Sequence, residues 1–200
     1  INQHDIFRGV TKYNVLVQRT DYLLTILRKT TGILLSKNPG PVLLSFPYNL
    51  LKETVDDSLL DHINFDSGHS LSNTLIPADD LVSLINKSAN PVVIAGYGSI
   101  AADAEEDISG FCVQSNIPVA TTLKARGIMP ETSDLSLGVL GTTSNELAFR
   151  YITEKADLLI VSGASFGERT SYNWNGELLK SKKIIQIDNN EEHLNKVFTA

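Results

Sequence analysis

The sequence predicts an α/β fold with an open, mostly parallel sheet that helices cover on both faces. Short apolar runs at residues 92–95, 117–121, 158–161 and 184–187 have the length of buried strands. Amphipathic segments alternate with these runs, and small residues cluster where the runs end. This alternation is typical of parallel strands that are buried on both faces of a sheet.

The N-terminal part of the chain predicts one helix and one strand. Residues 22–35 have helical spacing, and the Asn-Pro-Gly-Pro sequence at 38–41 then ends the helix. The apolar run 42–46 follows as a buried strand that Pro47 ends. A lone helix and strand cannot bury two faces, so we expect this unit to pack on the rest of the chain or on another copy.

Residues 51–74 are polar and acidic without a sustained period, which indicates an interdomain linker. We therefore predict the end of one domain at 1–50, a linker at 51–75 and a second domain at 76–200. The spacing of His62, His69 and the nearby aspartates matches no metal-ligand pattern. No metal site is predicted here.

The second domain shows the regular pattern after Pro77. The predicted elements in order are a helix at 79–87, a strand at 92–95, a helix carrying Ile108, Phe111 and Cys112, a strand at 117–121, a helix at about 144–155, strands at 158–161 and 184–187, and the start of a helix at 191–197. Ligands of such sheets bind at the carboxyl ends of the strands, so the turns there are the candidate site.

The first of these turns, residues 96–101, fits the pattern G-x-G-x-x-A after a strand and before a helix. Glycines permit a tight turn and a close backbone approach, and free N–H groups at the helix start suit a phosphate. Two other interpretations remain open. A nicotinamide-binding oxidoreductase domain would carry an acidic residue where Thr121 and Thr122 stand. In the other interpretation, Gly96 and Gly98 only let the chain turn.

The later turns repeat the small-residue pattern and indicate a groove that could hold an extended nucleotide. Gly138 and Gly141 flank the third turn, residues 162–167 form the fourth, and Asp188 ends the last strand. The cations available to this groove are Lys124, Arg126 and Arg169.

No catalytic residue is predicted. Ser162 and Ser165 do not form G-x-S-x-G, and the histidines, at 4, 62, 69 and 193, lie outside the predicted sheet. Cys112 falls on an apolar helix face, which indicates a core residue. Trp174 is predicted to anchor a loop more readily than to cover a ligand.

Composition and net charge argue against two classes of partner, nucleic acids and membranes. The 200 residues are 42% hydrophobic and 20% charged, as in ordinary globular proteins. A net charge of −6 argues against a nucleic-acid partner, because binding the phosphate backbone of a nucleic acid requires clustered Lys and Arg. No apolar run approaches the ~20 residues of a membrane span. A single cysteine excludes an intrachain disulfide, and together these features predict a cytoplasmic protein without a membrane partner.

Taken in order, the turn motifs resemble the central domain of acetolactate synthases and pyruvate oxidases, which depend on thiamine diphosphate. The segments that carry the resemblance are 95–98 (AGYG), 118–124 (PVATTLK), 137–141 (LGVLG), 156–164 (ADLLIVSGA) and 187–188 (ID). The N-terminal segments 3–5, 10–12 and 40–47 look like the end of the same family's pyrimidine-binding domain. The resemblance implies a Rossmann-like central domain.

The resemblance also implies a three-domain parent enzyme, a lyase or transferase acting on a 2-keto acid. Such an enzyme binds thiamine diphosphate and magnesium between domains of different subunits in a homodimer or homotetramer. The family's activating glutamate and its Gly-Asp-Gly motif are expected before Ile1 and beyond Ala200. The chain is therefore expected to be an excised piece, inert alone, whose partners are the remaining domains of the parent.

Motif matching assigns the candidate cofactor contacts. They are Gly96, Gly98, Thr122, Leu123, Lys124, Gly141, Gly163 and Asp188. Family members place FAD along these turns, or leave an empty or ADP-binding groove, so the resemblance implies FAD or ADP. Ser165 stands where acetolactate synthases carry an arginine, which removes a charge-assisted donor. Gln3 matches a family glutamine near the active site, but His4 replaces its usual acidic successor.

Overall fold

The computed structural model describes residues 2–62, 77–144, 146–190 and 193–195. The chain divides into two compact units, Ile1–Ser72 and Asn73–Ala200. Each unit has its own hydrophobic core.

Among its described residues, the first unit contains two α-helices and two parallel strands. They are α1 (Gln3–Phe7), β1 (Tyr13–Leu16), α2 (Leu23–Leu34) and β2 (Val42–Ser45). The predicted helix and strand are confirmed as α2 and β2. The expectation that β2 has no earlier strand to pair with is wrong, because β1 pairs with it in register from Tyr13 opposite Val42. The four residues of β1 are too few to show a period.

The predicted linker contains local structure at its start. Short 3₁₀ helices span Leu50–Lys52 and Asp57–His62. Leu50 is buried and belongs to the core of the first unit, together with Val17 and Ile26. Residues 63–75 of the predicted linker, including His69, lie outside the described residues, as does most of the helix predicted at 191–197.

The second unit is the predicted α/β domain. Its elements are α3 (Ala78–Lys87), β3 (Pro91–Ala95), α4 (Tyr97–Ala101), α5 (Glu105–Ser115), β4 (Val119–Thr121), β5 (Ser136–Val139), α6 (Leu147–Glu154), β6 (Leu158–Ser162) and β7 (Lys183–Ile187). All five strands are parallel and lie in the order β5-β4-β3-β6-β7. The open parallel sheet is therefore confirmed.

Two details differ from the prediction. The single helix expected after Gly98 is two helices, α4 and α5, because the chain breaks at Asp103 in the left-handed region, with φ of 51°. The segment before α6 contains an edge strand, β5, whose Gly138 has a φ of 77°. Alternation is short and interrupted there, so the strand was not evident from periodicity.

Successive residues of β3 enter separate cores on the two faces of the sheet. Val92 and Ile94 pack with the buried side of α6, whereas Val93 and Ala95 pack with α3 and α5. Cys112 of α5 is fully buried, and burial raises the pKa of its thiol to about 11. The predictions of a doubly covered sheet and of a core cysteine are confirmed.

The boundary between β3 and β6 is the switch point of the sheet, where ligands of parallel sheets bind. Here two strand-end turns pack backbone against backbone. A Cβ added to Gly98 would lie 2.7 Å from the Cα of Gly163, and a Cβ added to Gly163 would lie 2.5 Å from the amide nitrogen of Ser99. Gly163 also has a φ of 58°. Each position therefore requires glycine for packing within the protein.

We predict that Gly98→Ala lowers the free energy of unfolding by about 1–3 kcal/mol, because its methyl group would press on the Gly163 backbone. Urea denaturation measures the change. Gly110→Ala is the matched control, since a Cβ there meets nothing within 4 Å and alanine favours the helix by about 0.5–1 kcal/mol. Equal unfolding free energies for Gly98→Ala and the unmodified chain would contradict the packing role.

Candidate functional site

The candidate site residues lie along one edge of the parallel sheet. Gly141 follows β5, Thr122 follows β4, and Gly96 follows β3. Gly163 follows β6 and Asp188 follows β7. Because adjacent strands lie ~4.8 Å apart, this row extends about 19 Å from β5 to β7. The structure thus brings the predicted residues to the same edge.

The amides of the glycine turn are used within the protein. The N–H of Gly96 donates to the carbonyl of Ser162 at 2.7 Å, and the N–H of Gly98 donates to the carbonyl of Gly163 at 2.9 Å. The N–H of Ser99 donates to the carbonyl of Gly96 at 3.0 Å. These three amides are therefore not the free phosphate donors expected from the sequence.

Ser99 makes a second connection across the switch point. Its side chain is buried, and its hydroxyl lies 3.1 Å from the carbonyl oxygen of Ser162 and 3.0 Å from the Ser162 hydroxyl. Ser162 is thus held by the opposite turn, and no histidine takes part in these bonds. This arrangement stabilises the turn and does not activate a nucleophile.

A pocket of about 370 Å³ opens beside the ends of β4 and β5. Its lining comprises Leu123, Arg126, Glu131, Ser136, Leu137, Gly138, Val139, Thr143, Ser144 and Leu147. Of the predicted contacts, only Leu123 lines it. The other lining residues come from the β4–β5 connection, from β5 itself, from the β5–α6 connection and from the first residue of α6.

The cations of the edge differ in their availability. Lys124 is exposed, and its Nζ lies 5.6 Å from the ring centroid of Tyr97. Arg126 makes a paired contact with Glu131, with Nε donating to Oε1 at 2.7 Å and Nη2 to Oε2 at 3.1 Å. This carboxylate raises the pKa of the Arg126 guanidinium and compensates its charge. Lys124 is therefore better placed than Arg126 to meet a ligand anion.

The turn after β5 is closed by a loop from beyond β6. Gly141 has a φ of 146°, and a Cβ added there would lie 3.1 Å from the carbonyl oxygen of Arg169. The N–H of Gly141 donates to the hydroxyl of Tyr172 at 3.2 Å. The Tyr172 ring lies 4.5 Å from that of Phe149, centroid to centroid. The Arg169 backbone and the Tyr172 side chain thus hold this turn.

The prediction that Trp174 anchors its loop is wrong. Its side chain is 61% exposed, and Tyr172 supplies the anchor instead. Tyr172, Asn173 and Trp174 all have positive φ angles, of 53°, 59° and 56°. This left-handed turn directs adjacent residues to different environments, a reversal that spacing along the sequence does not reveal.

Asp188 directly follows β7, and its carboxylate already has partners within the protein. Its side chain is 7% exposed, and both carboxylate oxygens lie 3.3 Å from the Nδ1 of His193. The N–H of Asn190 donates to one of these oxygens at 2.9 Å. The expectation that His193 lies outside the sheet region is wrong, because the chain turns back on itself directly after β7.

The described residues contain neither a metal-binding cluster nor a helix that could span a membrane. Among residues 2–62, 77–144, 146–190 and 193–195, no group of three or more His, Cys, Asp or Glu side chains could hold a metal ion. No helix in these same ranges is long and apolar enough to cross a membrane.

The α/β unit and its glycine turns match a known family. Residues 78–200 match the family model described as the thiamine pyrophosphate enzyme central domain. This match includes every strand of the five-stranded sheet.

Relatives extend the similarity to almost the whole chain. The acetolactate synthase large subunit of Corynebacterium glutamicum is 29% identical over 189 residues, which are 94% of this chain and 30% of that protein. Acetolactate synthase 1, chloroplastic, of Nicotiana tabacum is 29% identical over 191 residues, 92% of this chain and 27% of the relative. The acetolactate synthase isozyme 1 large subunit of Escherichia coli is 28% identical over 197 residues, which are 98% of this chain and 34% of that protein.

The chain spans about a third of the length of these relatives. The family match covers more than half of the chain and coincides with its parallel-sheet unit. The chain therefore belongs to the thiamine pyrophosphate enzymes, of which residues 78–200 are a central domain.

Proposed function

We propose that this chain is part of a thiamine-diphosphate-dependent 2-keto acid carboligase or decarboxylase of the acetolactate synthase type. The observation that carries the proposal is the family match over 78–200 together with acetolactate synthase relatives that align with 92–98% of the chain. The proposed division is the end of the pyrimidine-binding domain at 1–50, a linker at 51–75 and the central domain at 76–200. The proposed location of the parent is the cytoplasm.

Thiamine diphosphate supplies the carbanion chemistry of this family, and magnesium anchors its diphosphate. The described residues of this chain do not fit that pair, because they bring together no metal-binding cluster of acidic, histidine or cysteine side chains. Activity therefore requires the remaining domains of the parent. The central domain contributes structure, and it is inert alone.

The nucleotide proposed for the central domain is ADP or FAD, held weakly. Tyr97 and Leu123 are more than half exposed beside Lys124, so an apolar surface and an ammonium group adjoin each other at the sheet edge. Thr122, Gly141 and Asp188 complete the proposed contacts, and Gly96, Gly98 and Gly163 form a floor without side chains. Engagement of the turn amides and Ser165 in place of the family arginine both weaken phosphate binding.

A second candidate role is that of a spacer that positions the two thiamine-binding domains. The closed switch point supports this role, because the turn there is complete without a ligand. An NAD-type oxidoreductase has less support, since Thr121 and Thr122 stand where that fold needs an acidic residue.

The proposed assembly is a homodimer or homotetramer of the parent chain. In the first unit, large apolar side chains are exposed, with Ile6, Val10, Tyr48 and Leu51 each more than 60% accessible. Exposed apolar side chains of this size support the proposal that the first unit contacts another domain or another copy of the chain.

We predict that the isolated chain binds neither thiamine diphosphate nor Mg²⁺ appreciably, because the residues required for both belong to other domains of the parent. Calorimetric titration with thiamine diphosphate, with and without Mg²⁺, tests this. The positive control is the same titration of the full-length parent. Saturable binding to the isolated chain in the low micromolar range would contradict the proposal that other domains of the parent bind thiamine diphosphate and Mg²⁺.

We predict that ADP binds the chain reversibly and that Lys124→Ala weakens it about tenfold, because the ammonium group is the exposed cation beside Tyr97. Calorimetric titration compares this variant with Lys87→Ala, an exposed lysine at the end of α3, near the opposite edge of the sheet. FAD is titrated in parallel. Equal effects of the two substitutions would remove Lys124 from the site, and FAD retained through gel filtration would contradict weak binding.

A further inference from the structure

A histidine covers the acidic residue at the end of β7. The Nδ1 of His193 lies 3.3 Å from both carboxylate oxygens of Asp188. The histidine side chain is 34% exposed, whereas the carboxylate beneath it is 7% exposed. His193 is thus the more exposed member of the pair, and it lies against both oxygens of the buried carboxylate.

The position of His193 is held by a residue of the strand itself. The side-chain amide of Gln186 donates to the carbonyl of His193 at 2.9 Å, and its oxygen accepts from the N–H of Asn195 at 3.0 Å. Gln186 belongs to β7, so its side chain ties the backbone of residues 193 and 195 to the sheet. These bonds hold the segment that carries the imidazole beside Asp188.

The carboxylate of Asp188 is a suitable acceptor for the hydroxyl groups of a ribose. An aspartate at the carboxyl end of a parallel strand can accept hydrogen bonds from ribose hydroxyls. The ammonium group of Lys124 contacts the ring of Tyr97, in the turn after β3. Strand β3 lies two strand spacings from β7, which is about 10 Å. An extended nucleoside diphosphate can span that distance, with its phosphates toward Lys124 and its ribose toward Asp188.

We propose that His193 is an affinity-determining residue that competes with the ribose hydroxyls of a nucleoside diphosphate for Asp188. The proposal rests on the nucleotide-binding function proposed above and deepens it. When His193 stays on the carboxylate, ribose cannot reach its oxygens. Displacement of the imidazole is then the step that admits the ligand, and it reduces the net affinity.

The test is calorimetric titration of ADP and of 2′,3′-dideoxy-ADP into the unmodified chain and His193→Ala. The substitution should raise ADP affinity about tenfold, because a hydrogen bond to a carboxylate becomes available. The dideoxy compound should show no gain, and Asp188→Asn in the His193→Ala background should abolish the gain. His62→Ala, which removes an exposed histidine of the first unit, is the control and should leave both affinities unchanged.

The outcomes separate this inference from the function on which it rests. If the unmodified chain and His193→Ala bind ADP equally, the inference is wrong and nucleotide binding stands. If only the variant binds, the inference holds and explains weak binding by the unmodified chain. If neither binds, both are overturned. The contact itself is checked without nucleotide by NMR, since Asp188→Asn should shift the ring resonances of His193, and unchanged resonances would overturn the inference.

Discussion

The close approach of two backbone turns at the β3–β6 boundary is the constraint on which the rest of the second unit depends. The bond from the Gly98 amide to the Gly163 carbonyl joins residues that are 65 positions apart in sequence, at the ends of strands β3 and β6, which are adjacent in the sheet. Since a Cβ at Gly96, Gly98 or Gly163 would strike the opposite backbone, the approach is possible only with glycine. It places α4 against the sheet and sets the floor of the edge where the candidate contacts lie.

This constraint explains why one short motif had more than one interpretation. G-x-G-x-x-A after a strand is compatible with phosphate binding and with close packing, and the sequence around Gly96 does not distinguish them. The decisive residue is Gly163, whose proximity follows from strand order and not from local spacing. By contrast, apolar runs such as 158–161 depend on burial along a single strand, so they were predictable from the sequence.

The residues that sequence reasoning missed share a physical cause. Tyr13–Leu16 becomes a strand only because Val42–Ser45 pairs with it, and the pairing is long-range. Asp103 and Trp174 adopt left-handed conformations that interrupt regular spacing. His193 reaches Asp188 through a chain reversal after β7. In each case the conformation is determined by contacts between segments, which periodicity does not contain.

Two charged residues at this edge, Arg126 and Asp188, have partners within the protein. The chain carries a net charge of −6, and Arg126 is compensated by Glu131. His193 in turn engages the carboxylate of Asp188. Lys124, by contrast, is exposed, and an exposed ammonium group costs little to leave hydrated.

Whether the glycine turn is closed within the protein is tested most directly by amide hydrogen exchange, measured by NMR at Gly96 and Gly98 with and without ADP. If the turn is closed within the protein, both amides exchange slowly, with protection near that of the central strands, and ADP leaves their rates unchanged. Rapid exchange in the free chain, with protection appearing only when ADP is added, would contradict the account and identify the turn as a phosphate-binding loop.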